Sequence, residues 1–187
     1  MSAEGENCKC PLKSFFNKQI SLSAAHFLFW PVAVSGIIAD LWSKSAVFEW
    51  LNSLPLQHYS VIDGFFQFVL VENRGAAWGI AAGRTLPLII ISAAAMVVVV
   101  GIFLFNRKPQ LLSVLAMAFF EAGICGNLYD RIFNAGRVRD FLDFYYGDWH
   151  FPAFNIADSM LTVAVGILIL ATIFGAKHES PSTPDPM

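Results

Sequence analysis

Residues Gly123–Asp158 read GICGNLYDRIFNAGRVRDFLDFYYGDWHFPAFNIAD. This stretch collects aspartates, asparagines and arginines at the junctions of apolar runs that are long enough to cross a bilayer. Polar groups are costly at such positions and are usually present for function. We therefore expect the chemistry of the chain to lie here.

The composition is typical of a small polytopic membrane protein. Of the 187 residues, 56% are hydrophobic and 14% are charged, and the mean hydropathy is +0.58, which lies outside the usual range of a soluble domain. The formal net charge of -2 provides no basic surface, so nucleic acid is not expected as a partner. Three scattered cysteines are too few for a disulfide framework.

Four apolar runs predict four transmembrane helices. The second run would be roughly 30 Å long as a helix, which matches the hydrocarbon thickness of a bilayer. An even number of spans places both termini on one side of the membrane. The predicted segments are a cytoplasmic tail (1–23), one unit (24–175) with spans at about 24–42, 86–105, 110–127 and 155–174, and a disordered cytoplasmic tail (176–187).

Two long connections lie on the face opposite the termini. In the first of them, alternating apolar residues in Tyr59–Ile62 and Phe66–Val71 predict short strands. Lysines and arginines divide equally between the two sides of the predicted topology. The compact Arg107-Lys108 turn and the lysine-bearing N-terminal tail favour termini in the cytoplasm.

Polar side chains from all four spans are predicted to meet at one membrane surface. They are Asp40 and Lys44 at the end of the first span, Asn73 before the second, Asn127, Asp130 and Arg131 at the end of the third, and Asn155 and Asp158 at the start of the fourth. Spacings of three or four residues put each helical set on one helix face. These side chains can therefore share one pocket.

Three uses of such a pocket remain open on the pattern alone. Paired carboxylates can perform acid/base hydrolysis, in which one keeps a proton and the other, ionised, activates water. Intramembrane carboxylates can also carry protons or ions. Alternatively, the same side chains can hold the bundle together through hydrogen bonds between helices.

Two other enzyme classes are disfavoured. His58 and His150 lack partners at metal-ligand spacing, which argues against a zinc peptidase. Ser43 and Lys44 are adjacent, so their side chains point to different helix faces and cannot form a serine–lysine dyad directly.

Five blocks resemble the signature blocks of bacterial lipoprotein signal peptidase, also called signal peptidase II. Their order and topology agree with that family over roughly residues 24–174. The blocks are Asp40-Leu-Trp-Ser43-Lys44, Asn73-Arg-Gly75-Ala-Ala-Trp78-Gly79, Gly123-Ile-Cys-Gly126-Asn127-Leu-Tyr-Asp130-Arg131, Gly136-Arg-Val-Arg-Asp140-Phe141-Leu-Asp-Phe144 and Phe154-Asn155-Ile-Ala157-Asp158. The chain departs from the pattern modestly, with Arg74 in place of a small polar residue and Trp78 in place of a frequent phenylalanine.

The resemblance implies an all-α membrane protein with four transmembrane helices, a small extracytoplasmic β-rich cradle after Lys44 and a short extracytoplasmic helix before Asp140. It implies an aspartic endopeptidase of the bacterial inner membrane, with both termini cytoplasmic and the active site near the outer leaflet. The implied substrates are diacylglyceryl prolipoproteins, cut just before the lipidated cysteine. Membrane lipids and globomycin-type inhibitors are the other implied partners, and neither a metal nor a cofactor is implied.

The matching blocks make Asp140 and Asp158 the catalytic pair. The positions expected to support the site or bind substrate are Asp40, Lys44, Asn73, Gly75, Asn127, Asp130, Arg131, Asn155 and Ala157. Asp158 begins a helix, where the macrodipole favours an ionised carboxylate, whereas partial burial among aromatic residues would raise the pKa of Asp140. We therefore expect Asp140 to carry the shared proton more often and Asp158 to act more often as the base.

Several neighbouring charges are expected to be structural. Asp130 and Arg131 are predicted to form an ion pair that orients the end of the third span. Asp143 and Asp148 are predicted to be solvated loop carboxylates. Glu121, inside the third span, is left without an assigned role; it is expected to hydrogen-bond within the bundle and not to belong to the catalytic pair.

Overall fold

The computed structural model describes residues 11–75 and 85–175 of the chain. Residues 1–10 of the predicted N-terminal tail (1–23), the predicted C-terminal tail (176–187) and the part of the second block that includes Trp78 lie outside these residues. The elements are, in chain order, α1 (Pro11–Phe16), α2 (Leu22–Asn52), β1 (His58–Ile62), β2 (Phe66–Asn73), α3 (Thr85–Phe105), α4 (Leu111–Phe133), β3 (Val138–Tyr146), β4 (Trp149–His150) and α5 (Ile156–Gly175).

Four of these helices, α2, α3, α4 and α5, are long and apolar enough to cross a membrane, which confirms the predicted four-span architecture. The bounds of α3 and α5 agree with the predicted apolar runs to within a residue or two. The limits of the predicted segments remain a prediction. The tail expected before the first span contains the short helix α1, and the ring of Phe16 stacks on Phe174 of α5.

Helices α2 and α4 continue well past the apolar runs that predicted them. The 31 residues of α2 span about 46 Å, which exceeds the hydrocarbon thickness of a bilayer, so its last turns project beyond the apolar layer. Pro31 lies within α2 without ending it. These extensions carry Lys44 of α2 and Arg131 of α4 to the end of the bundle where the sheet lies.

Helix α4 forms the centre of the bundle, because it packs against α2, α3 and α5. Small residues let these helices approach closely. A Cβ atom on Gly126 would overlap with the carboxylate of Asp40 on α2, and one on Gly123 would lie 2.6 Å from the carbonyl oxygen of Ala157 on α5. The polar ends of α2, α4 and the start of α5 are therefore in direct contact.

A four-stranded antiparallel sheet in the order β1-β2-β3-β4 lies at this end of the bundle. The two strands predicted after the first span are confirmed as β1 and β2. Strand β2 pairs with β3 so that Val71 lies opposite Asp140 and Asn73 opposite Val138. This pairing brings the second and fourth sequence blocks together.

The short helix expected before Asp140 is absent, and that prediction is wrong. The chain leaves α4 at Phe133, turns through Ala135 (φ 48°) and Gly136 (φ 81°), and enters β3 at Val138. Two successive positive φ angles reverse the chain direction within one tight turn and leave no room for a helical turn. Asp140 therefore lies in a rigid strand that is hydrogen-bonded to β2.

Candidate active site

Asp140 is buried on β3, with 2% of its surface exposed. Its two carboxylate oxygens accept hydrogen bonds from two asparagines. Asn155 Nδ2 donates to Oδ1 over 2.6 Å, and Asn73 Nδ2 donates to Oδ2 over 3.1 Å. The register of β2 on β3 positions Asn73, whereas Asn155 comes from the start of α5.

The pKa of Asp140 is raised from its ordinary value of 3.8 to about 7, chiefly by burial and next by the negative charge of Asp158. The hydrogen bonds from Asn73 and Asn155 and the charge of Lys44 lower it, but by less. Asp140 therefore exchanges its proton close to neutral pH. The assignment of the shared proton to Asp140 stays a prediction, which this raised pKa favours.

Asp158 lies in the first turn of α5 and forms a reciprocal cap with Asn155. The Asp158 N–H donates to Asn155 Oδ1 over 3.0 Å, and the Asn155 N–H donates to Asp158 Oδ2 over 3.2 Å. This is the geometry of a capping box, which satisfies two backbone donors that the helix itself leaves unpaired. The helix macrodipole favours a negative charge at this position.

Two asparagines connect the aspartates. Asn127 of α4 donates from Nδ2 to Asp158 Oδ1 over 2.8 Å and accepts at Oδ1 from Asn155 Nδ2 over 3.1 Å. Asn155 in turn contacts both Asp140 and Asp158. The structure thus brings the two predicted catalytic residues to one place and fixes both through shared hydrogen bonds.

A buried charge cluster lies behind the asparagines. Lys44 Nζ lies 2.7 Å from Asp40 Oδ2 and 3.4 Å from Asp130 Oδ2, and it donates to Asn127 Oδ1 over 3.0 Å. Asp40 also accepts the Ala157 N–H over 2.8 Å, which ties α2 to the first turn of α5. All of these predicted supporting residues therefore belong to one network.

The predicted ion pair between Asp130 and Arg131 is wrong. Asp130 pairs instead with Arg139 of β3, which donates from Nε, Nη2 and its backbone N–H. Arg131 donates from Nη2 to the Gly75 carbonyl oxygen over 3.2 Å and lies 3.4 Å from the Asn127 carbonyl oxygen. Neighbours in sequence point to different sides of α4, so adjacency did not predict pairing. Arg139 is the supporting residue that the sequence reasoning missed.

Gly75 is held beside the aspartates from two directions. Its N–H donates to Asn73 Oδ1 over 2.9 Å, and its carbonyl oxygen accepts from Arg131. Arg74, the unusual residue of this block, is exposed and points no charge into the buried network.

The aspartates open into a cavity of about 770 Å³. One side is polar and the other is formed by the segment Phe151–Phe154 together with residues of α5. The polar lining includes Asn73, Gly75, Asn127, Arg131, Asp140, Asp158, Ser159 and Thr162. A cavity of this size with a few converging polar groups is the usual form of a binding site.

Three further predictions concern residues around the site. Asp143 is not solvated but buried, and it accepts hydrogen bonds from Gln67 and His150. Asp148 is exposed, as predicted. Glu121 is buried in α4, where Cys125 Sγ lies 3.4 Å from its Oε1.

Comparison with known proteins identifies the family. The family model described as signal peptidase (SPase) II matches residues 32–174, which is more than half of the chain. The chain belongs to the signal peptidase II family. The match covers the four spans from within α2 onward, the sheet, and every residue of the polar network described above.

Sequence relatives and solved structures agree with this membership. A lipoprotein signal peptidase of Sulfurihydrogenibium sp. (strain YO3AOP1) is 42% identical over 76% of this chain and 89% of the relative, and one of Bacillus pumilus (strain SAFR-032) is 39% identical over 72% and 88%. A bacterial membrane enzyme solved by the in meso method at 2.3 Å resolution is similar to this chain with a TM-score of 0.72 and 28% identity, covering 89% of this chain and 98% of that one. Signal peptidase II proteins are proteases, and the four apolar helices make this one a membrane protein.

Proposed function

We propose that this protein is an aspartic endopeptidase of the bacterial inner membrane that removes the signal peptide from diacylglyceryl-modified prolipoproteins by cutting before the lipidated cysteine. Asp140 and Asp158 are the catalytic residues. The observation that carries the proposal is the placement of these two carboxylates in one cavity, linked through Asn127 and Asn155.

The two carboxylates have environments suited to opposite roles. The raised pKa of Asp140 keeps it protonated in a large fraction of molecules at neutral pH, so it can donate to a peptide carbonyl oxygen. Asp158 accepts one hydrogen bond at each oxygen and lies in the first turn of α5, which orients it to act as the base of the pair. An acid and a base in one site are what general acid/base hydrolysis requires.

In the proposed reaction, Asp158 accepts a proton from water while the water oxygen attacks the scissile carbonyl carbon. Asp140 donates its proton to the carbonyl oxygen, which gives a neutral tetrahedral intermediate. The carbon–nitrogen bond then breaks as the amine takes the proton held by Asp158, and one hydroxyl proton of the intermediate returns to Asp140. The products are a signal peptide with a new terminal carboxyl group and a lipoprotein whose lipidated cysteine has a free amino group.

The supporting residues hold the carboxylates of Asp140 and Asp158 in a fixed relative orientation. Asn127, Asn155 and Asn73 orient the carboxylates, and Lys44, with Asp40, Asp130 and Arg139, anchors Asn127 from behind. Orientation of this kind contributes to catalysis because small displacements of reacting groups cost large factors in rate.

The location of the two aspartates relative to the membrane suits a lipid-anchored substrate. The aspartates lie where α4 ends and α5 begins, at the end of the bundle that carries the sheet. With both termini in the cytoplasm, this end faces the outer leaflet, and a lipid-anchored peptide reaches it by lateral diffusion with its acyl chains left in lipid. Globomycin-type inhibitors would occupy the same cavity.

The test is cleavage of a purified diacylglyceryl prolipoprotein by the full-length protein in detergent or vesicles, with and without globomycin. Asp140→Asn and Asp158→Asn should insert and fold yet leave the precursor uncut, whereas Asp148→Asn, which removes an exposed carboxylate of the same connection, should cut normally. Normal processing by either dyad variant would refute the proposal. An altered proton conductance of these variants with unchanged processing would instead favour an ion pathway.

A further inference from the structure

A second polar cluster lies on the sheet, outside the cavity lining. Asp143 of β3 has only 4% of its surface exposed, and its Oδ2 accepts from Gln67 Nε2 over 2.7 Å and faces His150 Nδ1 at 2.8 Å. An ionised carboxylate can only accept hydrogen bonds, so the imidazole must carry its proton on Nδ1. One carboxylate oxygen thus joins side chains from three strands.

The cluster coincides with the backbone pairing of those strands. Gln67 lies directly opposite Asp143 in the β2–β3 ladder, and His150 lies opposite Tyr145 in the β3–β4 ladder. The ring of Tyr145 stacks on the imidazole at 5.4 Å with an interplanar angle of 12°. The imidazole is therefore restrained both by a hydrogen bond to Asp143 and by an aromatic ring.

Strand β4 needs this support because it contains only Trp149 and His150. The next residues along the chain, Phe151–Phe154, form the apolar wall of the cavity that holds Asp140 and Asp158. The far end of that wall is fixed by hydrogen bonds between Phe154 and β3, and its near end is tied to β3 by the Phe151 N–H, which donates to the Phe144 carbonyl oxygen over 2.8 Å. The side chain of His150, the residue before Phe151, adds its contact with Asp143 of β3 to this backbone bond and so helps to fix the near end.

We propose that Gln67, Asp143 and His150 are positioning residues that hold the wall Phe151–Phe154 in the orientation that binds the peptide substrate. This inference rests on the proposed function, because it assigns the wall to substrate binding at the same site. The wall ends at Phe154, whose N–H donates to Leu142 and whose carbonyl oxygen accepts from Phe141 and Leu142. These bonds isolate Asn155 and the aspartates from a displacement at His150, so the effect falls on substrate binding and not on the chemical step.

The experiment measures kcat and KM of the full-length protein on a diacylglyceryl prolipoprotein peptide. His150→Leu should raise KM by about fivefold, the size expected for losing one typical hydrogen bond, with kcat unchanged to within about twofold. His150→Asn should restore KM, because the asparagine amide can place a donor near the position of Nδ1. Gln67→Leu, which removes the other donor to Asp143, should raise KM in the same direction.

The matched control is His58→Leu. His58 is an exposed histidine of β1, and within the described part of the chain its ring nitrogen contacts only the carbonyl oxygen of Leu56. This substitution should leave both constants unchanged. A KM for His150→Leu and Gln67→Leu equal to that of the wild type would overturn the proposal, as would a fall in kcat at constant KM or a failure of His150→Asn to rescue. Failure of the proposed function is distinguishable, because the wild-type protein would then not cut the peptide at all.

Discussion

Lys44 Nζ lies 2.7 Å from Asp40 Oδ2, and both side chains are completely buried. The same ammonium group lies 3.4 Å from Asp130 and donates to Asn127, which holds Asp158. Lys44 therefore contacts two carboxylates, of which Asp130 also pairs with Arg139, and it anchors the asparagine that orients a third. Because α2 supplies the lysine and α4 supplies Asp130 and Asn127, the charge cluster also locks the two helices together.

Removing this cation should destabilise the bundle strongly. Lys44→Met leaves the buried carboxylate of Asp40 without its counter-ion and Asp130 with Arg139 alone, and breaking a buried pair in this way costs about 3–5 kcal/mol. We expect a clear fall in the thermal unfolding temperature in detergent, together with loss of cleavage activity. The control is Lys108→Met, which removes an exposed lysine and should change neither quantity.

A double substitution separates charge balance from packing. In Asp40→Asn/Lys44→Met both members of the closest pair are neutral, so the loss of stability should be smaller than for Lys44→Met alone. A double variant that is less stable than Lys44→Met would show that packing of the lysine side chain, and not its charge, stabilises the site.

Adding a side chain at Gly126 should also destabilise the bundle, because three helices pack closely there. The Cβ atom of Gly126→Ala would collide with the carboxylate of Asp40 and lie 3.3 Å from Ala157 Cβ, so helices α2, α4 and α5 must separate. Overpacking of this kind costs about 1–3 kcal/mol. Gly101→Ala on α3 is the matched control, since nothing lies within 4 Å of its added methyl group. Equal unfolding temperatures for the two variants would contradict the close approach.

Much of this architecture could be predicted from the sequence because its signals are local. Apolar runs predicted the four spans, and alternation predicted β1 and β2. The position of Asp40, Asn127 and Asp158 at the ends of those runs predicted that they meet. Each of these inferences needed only the chain direction and the period of a helix or strand.

The errors arose where partners come from distant elements. Arg139 reaches Asp130 only because two positive φ angles after α4 return the chain as a strand, and Asp143 is buried only because β2 and β4 flank it. Those pairings depend on the register of β3, which a tight turn and two neighbouring strands determine together. No strand was predicted in Val138–Tyr146, and nothing in its residues indicated which residue each would oppose.

The pH dependence of stability should report the environment of Asp140. Folding raises the pKa of this carboxyl from 3.8 to about 7, so the folded state favours its protonated form. The resulting stabilisation is complete below pH 3.8, falls as the pH rises through the interval up to about 7, and is absent above it. Asp140→Asn is neutral at every pH and should lack this component. Unfolding temperatures measured from pH 4 to pH 8 should therefore fall for the wild type relative to Asp140→Asn, and parallel curves would contradict the raised pKa.

The cap of α5 gives a prediction that separates stability from catalysis. Asn155→Ala removes the acceptor for the Asp158 N–H and the donor to Asp140 and Asn127. Loss of a helix cap costs about 1–2 kcal/mol. Both aspartates also lose a restraint, and misplacement of reacting groups lowers kcat by about a hundredfold.

Ser21→Ala is the matched control for this cap. Ser21 caps α2 by accepting the Ala24 N–H over 3.2 Å, at the end of the bundle opposite to the aspartates. Its loss should lower the unfolding temperature by a similar or smaller amount and leave kcat unchanged. The two variants are compared at equal loss of stability. If Asn155→Ala lowered kcat no more than Ser21→Ala did, the role of Asn155 would be limited to capping α5. A hundredfold difference in kcat between the two variants would instead assign it the orientation of Asp140 against Asp158.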